Sequence, residues 1–455
     1  MASREMDMLH GRLYPSLLRF ALPIALTAIL EQLFNAADTM VLGRFVGTMA
    51  MAAVGNNTPI ISLVVSLLLG LSLGANVVIA QNIGARRLKE ATRTLHTALL
   101  FALLVGLAIA VLSQPLVPWM LHALAVPESV RADADIYLRL YLLGMPFLSL
   151  YNFASAIVRS RGDAETPLYA LIVASLLNIV LDLVFVLPLG LGSAGAALGT
   201  AISYFVCALY LLVHMARADG ILHFDWRLLR LRGDYLRQML GIGLPAALQG
   251  MVFCIANLVL QAAINSLGAE VMAASAAAFT IEINMYCFIM GFQQAATTFV
   301  GQNYGAKNYA RCREVTRDCV VLSTIAMLVL AVLIYFTMKP MLDLFSTNPY
   351  VIEQAAIRIY VVVLPEVLCV VMDMYSGALR GYGCSLLPAL ATLLSVCGIR
   401  LSWVYFYFPS HPTFFSLLLS YPLSWVAADI LIYGIYRYYL AHLPVSAAPT
   451  KTSSR

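Results

Sequence analysis

Apolar residues gather along this chain into twelve long blocks, near 15–40, 52–80, 94–113, 135–158, 167–189, 194–215, 238–266, 273–300, 316–338, 354–379, 386–408 and 413–436. Each approaches the ~20 residues that a helix needs to cross a bilayer. Several contain Pro or Gly, which neighbouring helices tolerate inside a membrane, so the pattern predicts kinked spans rather than broken ones. Composition agrees, with 61% hydrophobic residues, 11% charged residues and a mean hydropathy of +0.85. Soluble domains carry roughly 25% charged residues. The expected fold is an all-α polytopic membrane protein with twelve transmembrane helices.

Charge placement tests that count, since Lys and Arg should favour alternate loops if every block crosses the membrane. One set of loops and ends holds Arg4 and Arg12; Arg86, Arg87, Lys89 and Arg93; Arg159 and Arg161; Arg217, Arg227, Arg230, Arg232 and Arg237; Lys307, Arg311, Arg313 and Arg317; Arg380; and Arg437, Lys451 and Arg455. The other set holds only Arg44, Arg131 and Lys339. The unbroken alternation predicts a plasma-membrane protein, in a bacterium the inner membrane, with both termini cytoplasmic. The net charge of +5 then reflects orientation in the lipid bilayer, and no nucleic-acid partner is expected. Met1-Ala2-Ser3-Arg4 does not open a cleaved signal peptide, so the apolar stretch from Leu17 is expected to stay as helix 1. The eight cysteines show no paired metal-ligand spacing and read as free, packed thiols.

The second half of the chain repeats the first. Leu22-Pro23 through Gln81-Asn82-Ile83-Gly84-Ala85 aligns with Leu244-Pro245 through Gln302-Asn303-Tyr304-Gly305-Ala306 at an offset of about 221 residues. Six helices per copy is an even number, so both copies enter the membrane the same way round. They should form two six-helix lobes related by a pseudo-two-fold axis along the membrane normal, the arrangement of a rocking transporter. The predicted division is an amino-terminal lobe over 1–216, a cytoplasmic linker over 217–237, a carboxy-terminal lobe over 238–440 and a disordered cytoplasmic tail over 441–455. Gly70-x-x-x-Gly74 and Gly195-x-x-x-Gly199 are expected to let helices within a lobe approach closely.

Polar residues inside the spans carry the candidate chemistry, because an ionisable group there costs at least ~2.5–3.5 kcal/mol. The acids are Glu31 and Asp38 on helix 1, Asp182 on helix 5, Glu282 on helix 8, Glu366 and Asp373 on helix 10, and Asp429 on helix 12, against one deep cation, Arg400. An acidic interior suits cationic cargo. Glu31, Gln32, Asn35, Glu282, Glu366, Asp373 and Arg400 are candidates for the wall of a substrate cleft, with pairing of Arg400 to an acid of helix 10 or 12 as the competing account. Asn178 and Asp182, spaced i,i+4, share a face of helix 5, and Asn35 and Asp38, spaced i,i+3, share one on helix 1. At ~1.5 Å per residue both aspartates lie in the outer half of their spans. Such a set is suited to hold sodium through oxygen ligands or to share a proton, while a structural hydrogen-bond network is the alternative.

At these residues the chain resembles the multidrug and toxic compound extrusion (MATE) family. The resemblance rests on Ala21-Leu22-Pro23-Ile24, Gln32-Leu33-Phe34-Asn35-Ala36-Ala37-Asp38-Thr39, Gly43-Arg44-Phe45-Val46-Gly47, the twin Gln-Asn-x-Gly-Ala turns and Asn178-Ile-Val-Leu-Asp182. It implies an efflux pump that expels organic cations and drugs in exchange for sodium or protons, with no cofactor beyond the coupling ion and no structural metal. By the same resemblance Asp38, Asn178, Asp182 and Thr200 form the cation site, Tyr137 and Asn152 support it, and Pro23 is where helix 1 bends. The chain departs from one branch of the family on helix 7, where Gln249, Asn257 and Gln261 stand in place of an acid.

Other classes stay open at this level. A flippase or metabolite exporter of the same superfamily would need several cations to line its cavity, and a non-transporting receptor or scaffold would not need paired intramembrane acids. No nucleophile-base set, metal-ligand cluster or Walker motif stands out, which argues against an enzyme and against ATP as the energy source. The expected partners are small cationic or amphipathic substrates and the bilayer, with the protein acting as a monomer.

Overall fold

The computed structural model describes residues 6–124, 126–218, 220 and 223–443. The tail beyond Leu443, including Lys451 and Arg455, and Arg4 at the other end lie outside the described residues. Eleven helices are long and apolar enough to cross a membrane, and one bent pair supplies a twelfth span. They are α1 (Leu13–Phe45), α2 (Thr48–Gly84), α3 (Leu88–Ala123), α4 (Glu128–Leu143 with Met145–Ser160), α5 (Glu165–Val186), α6 (Gly192–Arg217), α7 (Gly233–Asn265), α8 (Ala269–Gly305), α9 (Tyr309–Phe345), α10 (Pro349–Gly381), α11 (Leu386–Ser410) and α12 (Phe414–Ala441). The two parts of α4 meet at 45°. Pro146, which has no N–H to give to the preceding turn, starts the second part.

The duplication is visible in the backbone itself. Gly47, between α1 and α2, has φ +123°, and Gly268, at the matching place between α7 and α8, has φ +106°. Arg86 (φ 57°) and Lys307 (φ 59°) are the two non-glycine residues in the left-handed region among the described residues, each just after a Gln-Asn turn. Identical strained turns at equivalent positions are what a repeated chain path produces.

The lobes are joined on one side. Ser66 meets Cys254 at 3.3 Å near mid-span, and Thr298 donates to Asn76 Oδ1 at 3.1 Å. Nearer the turns, Gln81 donates to the Gly381 carbonyl and Gln302 to the Ser160 carbonyl. Among the described residues, the direct hydrogen bonds between the lobes run from mid-span to the Gln-Asn turns and no further. A Cβ on Gly84 would strike the Gln302 backbone, and one on Gly305 would strike the Gln81 backbone, so the two turns touch reciprocally. The first half of α1 packs in the carboxy-lobe core, with Phe20 edge-on to Phe299 at 5.5 Å. In exchange, Met239, Ile242 and Ala247 of α7 pack in the amino-lobe core.

Gly70 and Gly74 correct one expectation. They face Ala247, Met239 and Gly243 of α7, so their close approach joins the lobes instead of serving one lobe internally. On the outside, Leu328, Val329, Val332, Leu333 and Phe336 leave α9 with an exposed apolar flank, suited to lipid. All eight cysteines are free thiols.

Candidate functional site

The last turns of α1 and α5 meet the first half of α6 in the interior of the amino lobe. Asp38, Asn178, Asp182 and Thr200 are at most 2% exposed. Thr200 Oγ1 donates to Asp38 Oδ2 at 2.7 Å, and Asn178 Nδ2 donates to Asp182 Oδ1 at 3.3 Å. The two carboxyls lie within hydrogen-bonding reach of each other. A bond between them would need a proton, because two carboxylates are acceptors only. Asp38 Oδ1, Asn178 Oδ1 and Asp182 Oδ2 meet no donor. Buried polar atoms are nearly always partnered, so three unpartnered oxygens in one cluster mark a place built for something more.

The surroundings hold the cluster in place. Gly199 backs Asp182 so closely that a Cβ there would collide with its Oδ1. Tyr137 is buried within electrostatic reach of both aspartates and stacks on Tyr141 at 6.0 Å. Asn152 is buried with its amide nitrogen unpartnered, as is the Ser175 hydroxyl on α5. Gly199 was legible only as half of a small-residue motif, and Ser175 carried no sequence signal beyond its place one turn before Asn178.

The carboxy lobe treats its acids differently. Glu282 is bound at 2.9 Å by Arg358, which also donates to Ser275. Asp373 accepts from Gln293 Nε2 at 2.6 Å and from the Tyr286 hydroxyl at 3.3 Å. Asp429 Oδ1 accepts the backbone N–H of Met372 at 2.8 Å. That N–H follows a stretch of α10 with a π turn at Ile359–Val363 and a 3₁₀ turn at Leu364–Leu368, irregularities that disturb the normal helical bonding. Glu366 Oε2 alone among these carboxylates is buried without a partner.

The candidate cleft residues do not share one wall. Gln32 and Asn35 are exposed on α1, while Glu31 accepts from Tyr151 at 3.2 Å inside the amino lobe. Glu282, Glu366, Asp373 and Arg400 are enclosed within the carboxy lobe. Arg400 is 1% exposed and pairs with no acid among the described residues; it donates to Ser424 at 3.1 Å and lies over the Tyr421 ring at 4.1 Å. Arg358, the fifth residue of the apolar block 354–379 and so near its end, is almost as deeply buried, at 3%. On α7, Gln249 accepts from Arg380 at 2.9 Å and Gln261 bonds Asn265. Pro23 sits inside α1, where Thr27 Oγ1 donates to its carbonyl at 2.7 Å.

Comparison with known proteins agrees with the duplicated architecture. The MatE family pattern matches the chain twice, over residues 23–184 and 245–406, so each match starts at one of the paired prolines, Pro23 and Pro245. A probable multidrug resistance protein, YoeA of Bacillus subtilis, is 27% identical and covers 92% of both chains. The probable multidrug resistance protein NorM of Thermotoga maritima is 28% identical over 85% of this chain and 83% of its own. Among solved structures, a MOP superfamily transporter from Pyrococcus furiosus superposes with a TM-score of 0.89 at 23% identity, covering 97% of this chain and 99% of that one. The double match, together with the two-lobed fold, shows that this chain belongs to the MatE family of membrane transporters.

Proposed function

We propose that this chain is a secondary active antiporter, exporting organic cations and drugs in exchange for sodium or protons. The reading rests on the Asp38/Asp182 pair: two carboxyl groups close together and out of water, each with one oxygen unpartnered, and with the unpartnered Oδ1 of Asn178 on the same helix face as Asp182. Like charges so placed are strongly unfavourable unless a cation joins them. A proton between the carboxyls, or sodium held by Asp38, Asn178, Asp182 and Thr200, supplies that charge.

Transport then follows from which state the cation prefers. With the basic loops in the cytoplasm, the joined end of the lobes is the cytoplasmic one and the conformation faces outward. A cation arriving from outside settles on the aspartates and cargo leaves; its differential affinity for this state drives the exchange. Both termini then lie in the cytoplasm of a bacterial plasma membrane, and one chain suffices. Uptake of a fluorescent organic cation into everted vesicles, with sodium and proton gradients imposed separately, tests the reading. Uptake driven by one gradient supports it, and none under either refutes it.

A second reading, export of an anionic cargo, draws on the buried Arg358, Arg380 and Arg400 of the carboxy lobe. An anionic fluorophore in the same vesicles separates the two.

A further inference from the structure

We propose that the cavity between the start of α3 and the linker binds the phosphate-bearing headgroup of an anionic phospholipid. The cavity has a volume of about 440 Å³, and Lys89, Arg93 and Arg232 line it with no acidic side chain among the described residues. None of the three makes an ion pair or hydrogen bond through its side chain to another described residue. Three cations around one space repel one another unless an anion joins them.

The walls are fixed. His96, 2% exposed, has both ring nitrogens engaged: one bonds the Thr92 carbonyl at 2.8 Å and Nε2 accepts from the Asp225 N–H at 3.1 Å. Phe224 stacks on the same ring at 5.9 Å. One helical step on, the buried Thr97 hydroxyl donates to the Arg230 carbonyl at 3.1 Å. The linker is thus fastened to α3 at two points, His96 and Thr97, so the basic groups belong to a built site as well as to a charged surface.

The neighbourhood selects lipid over a soluble phosphate. Leu88 and Leu228 form the apolar part of the lining. Trp226 is 71% exposed and Leu231 43% exposed, alternating with Arg227, Arg230 and Arg232. Exposed Trp and Leu interleaved with arginines match a segment lying at headgroup level. The repeat supplies an internal contrast: at the offset that maps Arg86 onto Lys307, Lys89 and Arg93 fall on Ala310 and Glu314. The site therefore belongs to one lobe and is no general property of the basic loops.

The test is native mass spectrometry of the full-length protein in detergent, titrated with phosphatidylglycerol or phosphatidylcholine. Phosphatidylglycerol adducts should form at lower lipid concentration than phosphatidylcholine adducts. At the usual strength of one basic side chain near an anionic headgroup, Lys89→Gln/Arg93→Gln should raise the half-saturating phosphatidylglycerol concentration roughly thirty-fold, and Lys307→Gln/Arg313→Gln less than about two-fold. Equal binding of the two lipids, or equal effects of the two double variants, overturns the proposal. Loss of the adducts in millimolar inorganic phosphate overturns the assignment to lipid.

Discussion

In the amino lobe, Asp38 and Asp182 each have one donor and one buried oxygen left open, with Asn178 Oδ1 open between them in sequence; in the carboxy lobe, Glu282, Asp373 and Asp429 are held by donors of the protein itself, and Glu366 is the one acid that keeps a buried oxygen open among the described residues. At the offset that carries Asn35 onto Asn257, Asp38 falls on Leu260, which lies in the apolar core. At the later offset Asn178 and Asp182 fall on Ile399 and Trp403, and Trp403 gives its indole N–H to the Ser416 carbonyl at 2.8 Å. One chain path thus serves two purposes. A carboxylate whose oxygens are already bonded supports structure, and one left open has capacity for an exchangeable cation.

The contrast breaks most sharply at Asp38. Asp38→Asn should reduce gradient-driven efflux at least ~100-fold, the scale of removing a charge that acts only with its partner, while immunoblots of the membrane fraction show normal protein. In the carboxy lobe the same kind of change should cost stability first. Glu282→Gln leaves Arg358 buried without its counter-charge, a loss of about 3–5 kcal/mol by analogy with broken buried pairs, and should appear as a large fall in Tm by fluorescence-detected thermal unfolding.

Smaller effects are expected at Gly199 and Thr200. Gly199→Ala drives a methyl group into Asp182 Oδ1, so it should cost about 1–3 kcal/mol and lower efflux with little change in expression. Ala197→Gly, on the same helix, should leave efflux near wild type. Thr200→Val removes one donor from Asp38 at nearly constant shape and should cost about 1–3 kcal/mol of site stabilisation. It would be read as a weaker dependence of efflux rate on coupling-ion concentration. If Thr200→Val and wild type give the same ion titration, that hydroxyl plays no part in the site.

The span count and the duplication were legible because both depend on local composition: twelve apolar blocks, alternating basic loops and two Gln-Asn turns need no knowledge of tertiary contacts. Asp38 and Asp182 stood out because an acid in an apolar run is expensive. The rest depended on partners distant in sequence. Gly70 and Gly74 announced a close approach, but nothing local said that its target was α7 in the other lobe. Arg358 sits near a span end in sequence, and its burial depends on Glu282, on a different helix. The Met372 N–H that holds Asp429 follows irregular turns in α10 that no local pattern marks.

Ion release shows whether the amino-lobe aspartates hold a cation that cargo displaces. Purified protein in weakly buffered detergent solution receives a transported organic cation while a pH electrode and a sodium-sensitive dye record what leaves. Wild type and Asp373→Asn should release protons or sodium, and Asp38→Asn and Asp182→Asn should release none. Undiminished release from Asp38→Asn, or its loss in Asp373→Asn alone, would contradict a cation site at those aspartates.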